Sequence, residues 1–161
     1  MDDAKIRESL SEFQSVWERV AGSDAAFSAP DREAPGEGER LRAFMRSAAN
    51  AAALYASLAR RVRGAAPVLS RLAGAERAQL HALRLEYYLL TGEIFRPETH
   101  LPERAGLLDE LRRAWQAEGS SERSYLHAAE VSTLGALYRA HARNERGHAQ
   151  TLRELIARGL Q

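Results

Sequence analysis

Four side chains have the types and spacing of ligands for a cation: Glu76, Glu118 and the pair Glu145 and His148. A Glu-x-x-His pair on a helix puts both side chains on one face within about 6 Å, close enough to share one metal ion. Taken alone, such a pair is more often a solvated or salt-bridged couple. Here it comes with two glutamates that also fall in apolar stripes, Glu76 between Leu72 and Leu83 and Glu118 between Leu111 and Tyr125. A carboxylate ionised in a core costs several kcal/mol unless it is paired or bound to a cation. A divalent ion would compensate the four groups. Arginines such as Arg46 or Arg143, or simple protonation, would do so without metal.

The stripes define the elements that must position these groups. Ile6, Leu10, Phe13, Trp17 and Val20 recur at helical spacing and predict an amphipathic helix from about Asp3 to Val20. The stretch from Gly22 to Gly38, rich in Gly, Pro, Ser and acids without periodicity, reads as a linker. From Glu39 to Arg63, Leu41, Phe44, Ala48, Ala51, Tyr55, Leu58 and Val62 share a face, and Gly64 ends the helix. Pro67 opens the next helix, with Leu69, Leu72, Glu76, Gln79, Leu83, Tyr87 and Leu90 on its stripe up to Thr91 and Gly92. The Pro-containing segment from Gly92 to Glu103 is about a dozen residues long. Extended, it spans roughly 40 Å, the length of a bundle.

A third helix carries Leu108, Leu111, Trp115, Glu118, Glu122 and Tyr125; a fourth carries Leu134, Tyr138, His141, Glu145, His148, Leu152 and Leu155. Ser132 and Thr133 are caps for a turn placed between Ala129 and Thr133. The expected fold is all-α: a four-helix bundle of two hairpins joined by a long crossover, at residues 39–161, preceded by the amphipathic helix and linker at residues 1–38.

The two hairpins repeat one another. Ala48 matches Glu118 and Tyr55 matches Tyr125 at an offset of 70; Leu72, Glu76, Gln79 and Leu83 match His141, Glu145, His148 and Leu152 at 69. Residues level with each other in an antiparallel hairpin are equidistant from its turn. The midpoint of Glu118 and Glu145 falls between Val131 and Ser132, where the caps put the turn, and the midpoint of Ala48 and Glu76 is Val62, beside the Gly64 stop. The four candidate ligands are thereby placed at one height.

Composition narrows the function classes. With 161 residues and 45% hydrophobic content the chain can bury one substantial core. No cysteine is present, which removes disulfides, zinc ribbons and iron–sulfur sites. The first 40 residues hold 10 acids and 5 bases, leaving +6 for the rest of a chain whose formal charge is +1, too mild an asymmetry for a nucleic-acid partner. No apolar run has the roughly 20 residues of a membrane span, and the N-terminus has no signal-peptide pattern. A cytoplasmic location is the expectation.

Glu118 seven residues before Tyr125, Glu145-x-x-His148 followed by Leu152, and the first-half echo of Tyr55, Glu76 and Leu85 to Gly92 resemble the ferritin-like superfamily, and within it the rubrerythrin-like di-iron proteins. The resemblance spans residues 39 to 157. It implies two irons, one held at the ends of the ligand set by the glutamate of the first bundle helix and the histidine of the second, the other by those of the third and fourth, with two glutamates bridging. Here the first pair of positions is Ala48 and Gln79, so the resemblance implies a lost iron site beside a retained set of Glu76, Glu118, Glu145 and His148. Tyr55 and Tyr125 resemble groups that orient carboxylates. His141 has Leu72 as its repeat mate and reads as a hydrogen-bonded core histidine.

The leading expectation is a degenerate di-iron centre that binds at most one iron or other divalent ion, with weak or no oxidoreductase activity and no electron donor of its own. The alternative is a metal-free, non-enzymatic helical module for self-association, as a dimer, or for binding a helical partner. A third reading, an active iron-dependent oxidase or peroxidase, needs His141 or Asn50 as replacement ligands.

Overall fold

The computed structural model describes residues 36–159. The amphipathic segment expected at Asp3–Val20, with Trp17, and most of the linker lie outside the described residues. Within them the chain forms four helices and no strand: α1 (Glu37–Arg61), α2 (Ala66–Thr91), α3 (Leu107–Val131) and α4 (Gly135–Ala157). α1 packs on α2 and α3 on α4, giving the two expected hairpins. Among these helices none is long and apolar enough to cross a membrane.

Local chemistry sets the ends. Glu37 and Glu39 lie in the first turn of α1 and Arg60 and Arg61 in its last, each sign facing the helix dipole it complements. A short 3-10 turn, Arg63–Ala65, closes the first hairpin, and Pro67 occupies the first turn of α2, where a missing N–H costs nothing. Gly92 ends α2 at φ 72°, a left-handed cap whose N–H donates to the Tyr88 carbonyl at 2.8 Å. The second turn falls at Ser132, whose Oγ accepts the Leu134 N–H at 2.9 Å and donates to Glu37 at 2.6 Å. Glu37 also accepts from the Tyr138 hydroxyl, so the start of α1 is fastened to the second hairpin.

That second corner is tight. A Cβ on Gly135 would sit 2.7 Å from the Ala129 carbonyl oxygen, whereas one on Gly74 or Gly147 would meet nothing within 4 Å. Gly135→Ala should therefore destabilise by about 1–3 kcal/mol, because backbone must move to admit the methyl. Gly74→Ala and Gly147→Ala should instead stabilise by up to about 1 kcal/mol through helix propensity. Urea denaturation midpoints of the three variants check the difference in sign.

Two apolar blocks fill the bundle. One contains Leu41, Phe44, Met45, Leu83, Tyr125 and Tyr138. The other contains Tyr55, Leu58, Leu69, Leu72, Leu111 and Leu152. Along α2 the change from one block to the other passes through Glu76, along α3 through Glu118, and along α4 through Glu145 and His148. The polar residues form a layer between two dry blocks.

The stripe of α3 is rotated slightly from its sequence-based assignment. Ala114 is buried at 3% exposure while Trp115 is 41% and Leu108 39% exposed. Ala114 therefore faces inward, and the large side chains at its flank drew the reading one position aside. Leu90, also assigned to a stripe, is exposed beyond the last buried turn of α2. The crossover of residues 92–106 is pinned to α1: Arg42 and Arg46 lie over the Phe95 ring, and the His100 N–H donates to Asn50 Oδ1 at 2.8 Å.

Candidate metal centre

Glu76, Glu118, Glu145 and His148 come from three helices and meet, each offering one ligand atom, with those atoms within 4.8 Å of one another. None is more than 7% exposed. Atoms on opposite sides of an ion bound at about 2.1 Å lie about 4.2 Å apart, so side-chain torsions need draw the widest pair together by only about half an ångström.

His148 Nδ1 is 2.8 Å from Glu76 Oε1 and 3.5 Å from Glu118 Oε2. All three atoms are buried, and none has a well-formed hydrogen bond among the described residues. At this spacing the imidazole faces both carboxylates inside the polar layer. Such orphaned atoms, converging from three helices, suit a cation between them.

The titration behaviour reflects that crowding. Burial alone would lower the His148 pKa, but Glu118 and Glu76 more than offset it and push it up to about 9. Burial, reinforced by Glu118 and Glu76, pushes Glu145 up to about 10, so its carboxyl is neutral near pH 7. Burial raises Glu76 too, although His148 opposes it. Glu118 is also pushed up by burial, yet His148, Glu145 and the Tyr55 hydroxyl outweigh this and hold it below the usual carboxylate range.

Around the four, the repeat positions have diverged. Tyr55 donates its hydroxyl to Glu118 Oε1. Tyr125 instead contributes its ring, stacked on Phe44 at 4.0 Å and packed on Tyr138. Gln79 Nε2 donates to Glu145 Oε1 at 2.7 Å, and its own oxygen accepts from Asn144 Nδ2 at 2.9 Å. Asn144 was missed by sequence reasoning, because its repeat mate Ala75 carries no signal and a lone Asn on a helix is unremarkable. Ala48 is buried in the apolar block with Phe44 and Met45.

His141 is buried as expected of a core residue; its Nδ1 has no hydrogen-bond partner among the described residues, and the ring meets the edge of Tyr125 at 5.3 Å. Burial lowers its pKa to about 4, so it is neutral, and it stands outside the four-residue set. Asn50 spends its oxygen on the His100 N–H. Arg46 lies over Phe95 and Arg143 is exposed, so the cation facing the carboxylates is His148 rather than either arginine.

Among the described residues, fold and cluster together define an all-α bundle with one buried three-carboxylate, one-imidazole set that could hold a cation. No protein-family model matches the chain, and no curated protein is similar to it. Among solved structures it is similar to a hypothetical protein from Pyrococcus furiosus, with 25% identity over 75% of this chain and 90% of that one, at a TM-score of 0.63.

Proposed function

We propose that the protein is a ferritin-like, rubrerythrin-like bundle whose di-iron centre has been reduced to a site for one divalent ion, with little or no oxidoreductase activity. The observation that carries this reading is the convergence of unpartnered ligand atoms from Glu76, Glu118 and His148 at one buried point, with Glu145 beside them. Three carboxylates and an imidazole suit iron, manganese or zinc. A bound ion would supply Lewis acidity at a site shielded by two apolar blocks.

The chain's own residues restrict the chemistry open to such an ion. Tyr55 orients Glu118, and Gln79, held by Asn144, fixes Glu145 on the side where a second ion would need a ligand. At that position an amide N–H supplies the positive partner that a metal would otherwise be. Alanine at position 48 offers no donor atom. Two-electron chemistry shared between two irons has no second site here.

Charge balance supports single occupancy. In the apo cluster His148 holds a proton and Glu145 is neutral near pH 7. A divalent ion displacing those two protons leaves the charge of the buried layer unchanged.

Metal analysis of the full chain after saturation with Fe2+ or Mn2+ tests the reading. The expected result is one ion per chain, lost in Glu118→Ala; two ions per chain would refute it. The metal-free alternative, a self-associating dimer or a module for a helical partner, draws support from Leu85, Tyr88 and Leu89, all more than half exposed on one face of α2. It expects no ion under any loading and a concentration-dependent sedimentation coefficient.

A further inference from the structure

A cavity of about 180 Å³ opens between α1 and α3, and Glu76, Glu118, Glu145 and Tyr55 form its floor. It exists because Ala51, Ala114 and Ala117 leave the two helices without large side chains at this level. Ser47 and His100, both exposed, mark its mouth, where the crossover passes over α1. Asn50 and His100 are shared with an adjoining surface groove that carries Arg46, Arg96 and Glu98.

We propose that this cavity binds a small organic carboxylate, of about the size of acetate or propionate, against an ion held by the floor residues. The inference rests on the single-ion reading above. Three features set the ligand class. Volume is the first: the space takes a few waters or one small molecule. The second is the walls, since Ala51, Leu54 and Ala114 are apolar and favour a short alkyl group over an all-polar anion such as phosphate. The third is charge, because Arg46 and Arg96 outnumber Glu98 beside the mouth and draw anions toward it. Without an ion, the floor carboxylates repel an anion. Carboxylate binding is therefore conditional on the metal, and the two are linked reciprocally.

The full chain loaded with Co2+ provides the test, because the visible bands of Co2+ respond to a change in its ligands. Propionate should change the spectrum saturably, at one Co2+ per chain, while phosphate should not. Ala51→Leu, which fills the cavity, should keep its Co2+ and weaken the propionate response at least tenfold. Arg46→Glu combined with Arg96→Glu, both on exposed side chains, should weaken it by about tenfold at low salt and less at high salt. A one-Co2+ protein whose spectrum ignores propionate overturns the inference and leaves the single-ion reading standing. An undiminished response in Ala51→Leu, or an equal response to phosphate, also overturns it. Failure to take up Co2+ at all overturns the single-ion reading and this inference with it.

Discussion

Between pH 6.5 and 9 the metal-free protein is expected to become progressively easier to unfold, while the stabilisation given by added divalent metal grows. His148 has its pKa raised from an ordinary 6.5 to about 9 in the fold, so the stability it contributes is fully present below 6.5 and is lost as the pH rises through 9. Glu145 is raised from 4.5 to about 10, so the folded protein keeps a proton that the unfolded chain releases, and its effect on stability has the same sign over the same window. Each retained proton is worth about 1.4 kcal/mol per pH unit, which for His148 alone amounts to on the order of 3 kcal/mol across the interval. Glu118, shifted down, acts with opposite sign but only below about pH 4.5, outside the window.

A bound ion displaces both protons, so the loaded protein loses that slope, and the affinity rises with pH as proton competition falls. Urea midpoints with EDTA and with excess Mn2+, at pH 6.5, 7.5 and 8.5, give both curves. Parallel curves would mean that His148 and Glu145 carry no protons for a metal to displace.

The helices and the buried Glu/His cluster were legible in the sequence for a common reason. Apolar residues at spacings of three and four mark a buried face, and a charged residue kept on that face is conspicuous, as Glu76, Glu118 and Glu145 were. The repeat then supplied the height of each residue, because Ala48 and Glu76 stand as far from their turn as Glu118 and Glu145 from theirs. What a single helix cannot encode is the packing angle, and this is where the reading slipped. Trp115 lies one position from Ala114, and only the neighbouring helices determine which of them faces inward.

Partners across helices were likewise hidden. That Gln79 donates to Glu145 and is itself held by Asn144 depends on α2 and α4 meeting at one level. The sequence presented Gln79 as a missing histidine; in the structure its amide donates to the Glu145 carboxyl. Repeat symmetry also made Tyr125 look equivalent to Tyr55. A match in sequence position carries no information on which hydroxyl reaches a carboxylate.

His148→Leu should be among the most damaging single changes to the metal-free bundle at neutral pH. The imidazolium is the positive group that faces Glu76 and Glu118 inside the polar layer, with Nδ1 2.8 Å from Glu76 Oε1. Leucine fits the site sterically but leaves two buried carboxylates without their counter-charge, which costs about 3–5 kcal/mol when one partner of a buried pair is removed. The cost should shrink toward pH 5, where protonation relieves the repulsion, whereas simple loss of packing would not respond to pH. Replacing the second partner as well, in His148→Leu with Glu76→Gln, should recover most of the loss, since exchanging both members of a buried pair is far cheaper than stranding one. The double-mutant cycle, read from urea midpoints at pH 7 and pH 5, isolates the interaction from the two side chains' separate contributions. Additive effects at both pH values would show that His148 does not hold the carboxylates in the absence of metal.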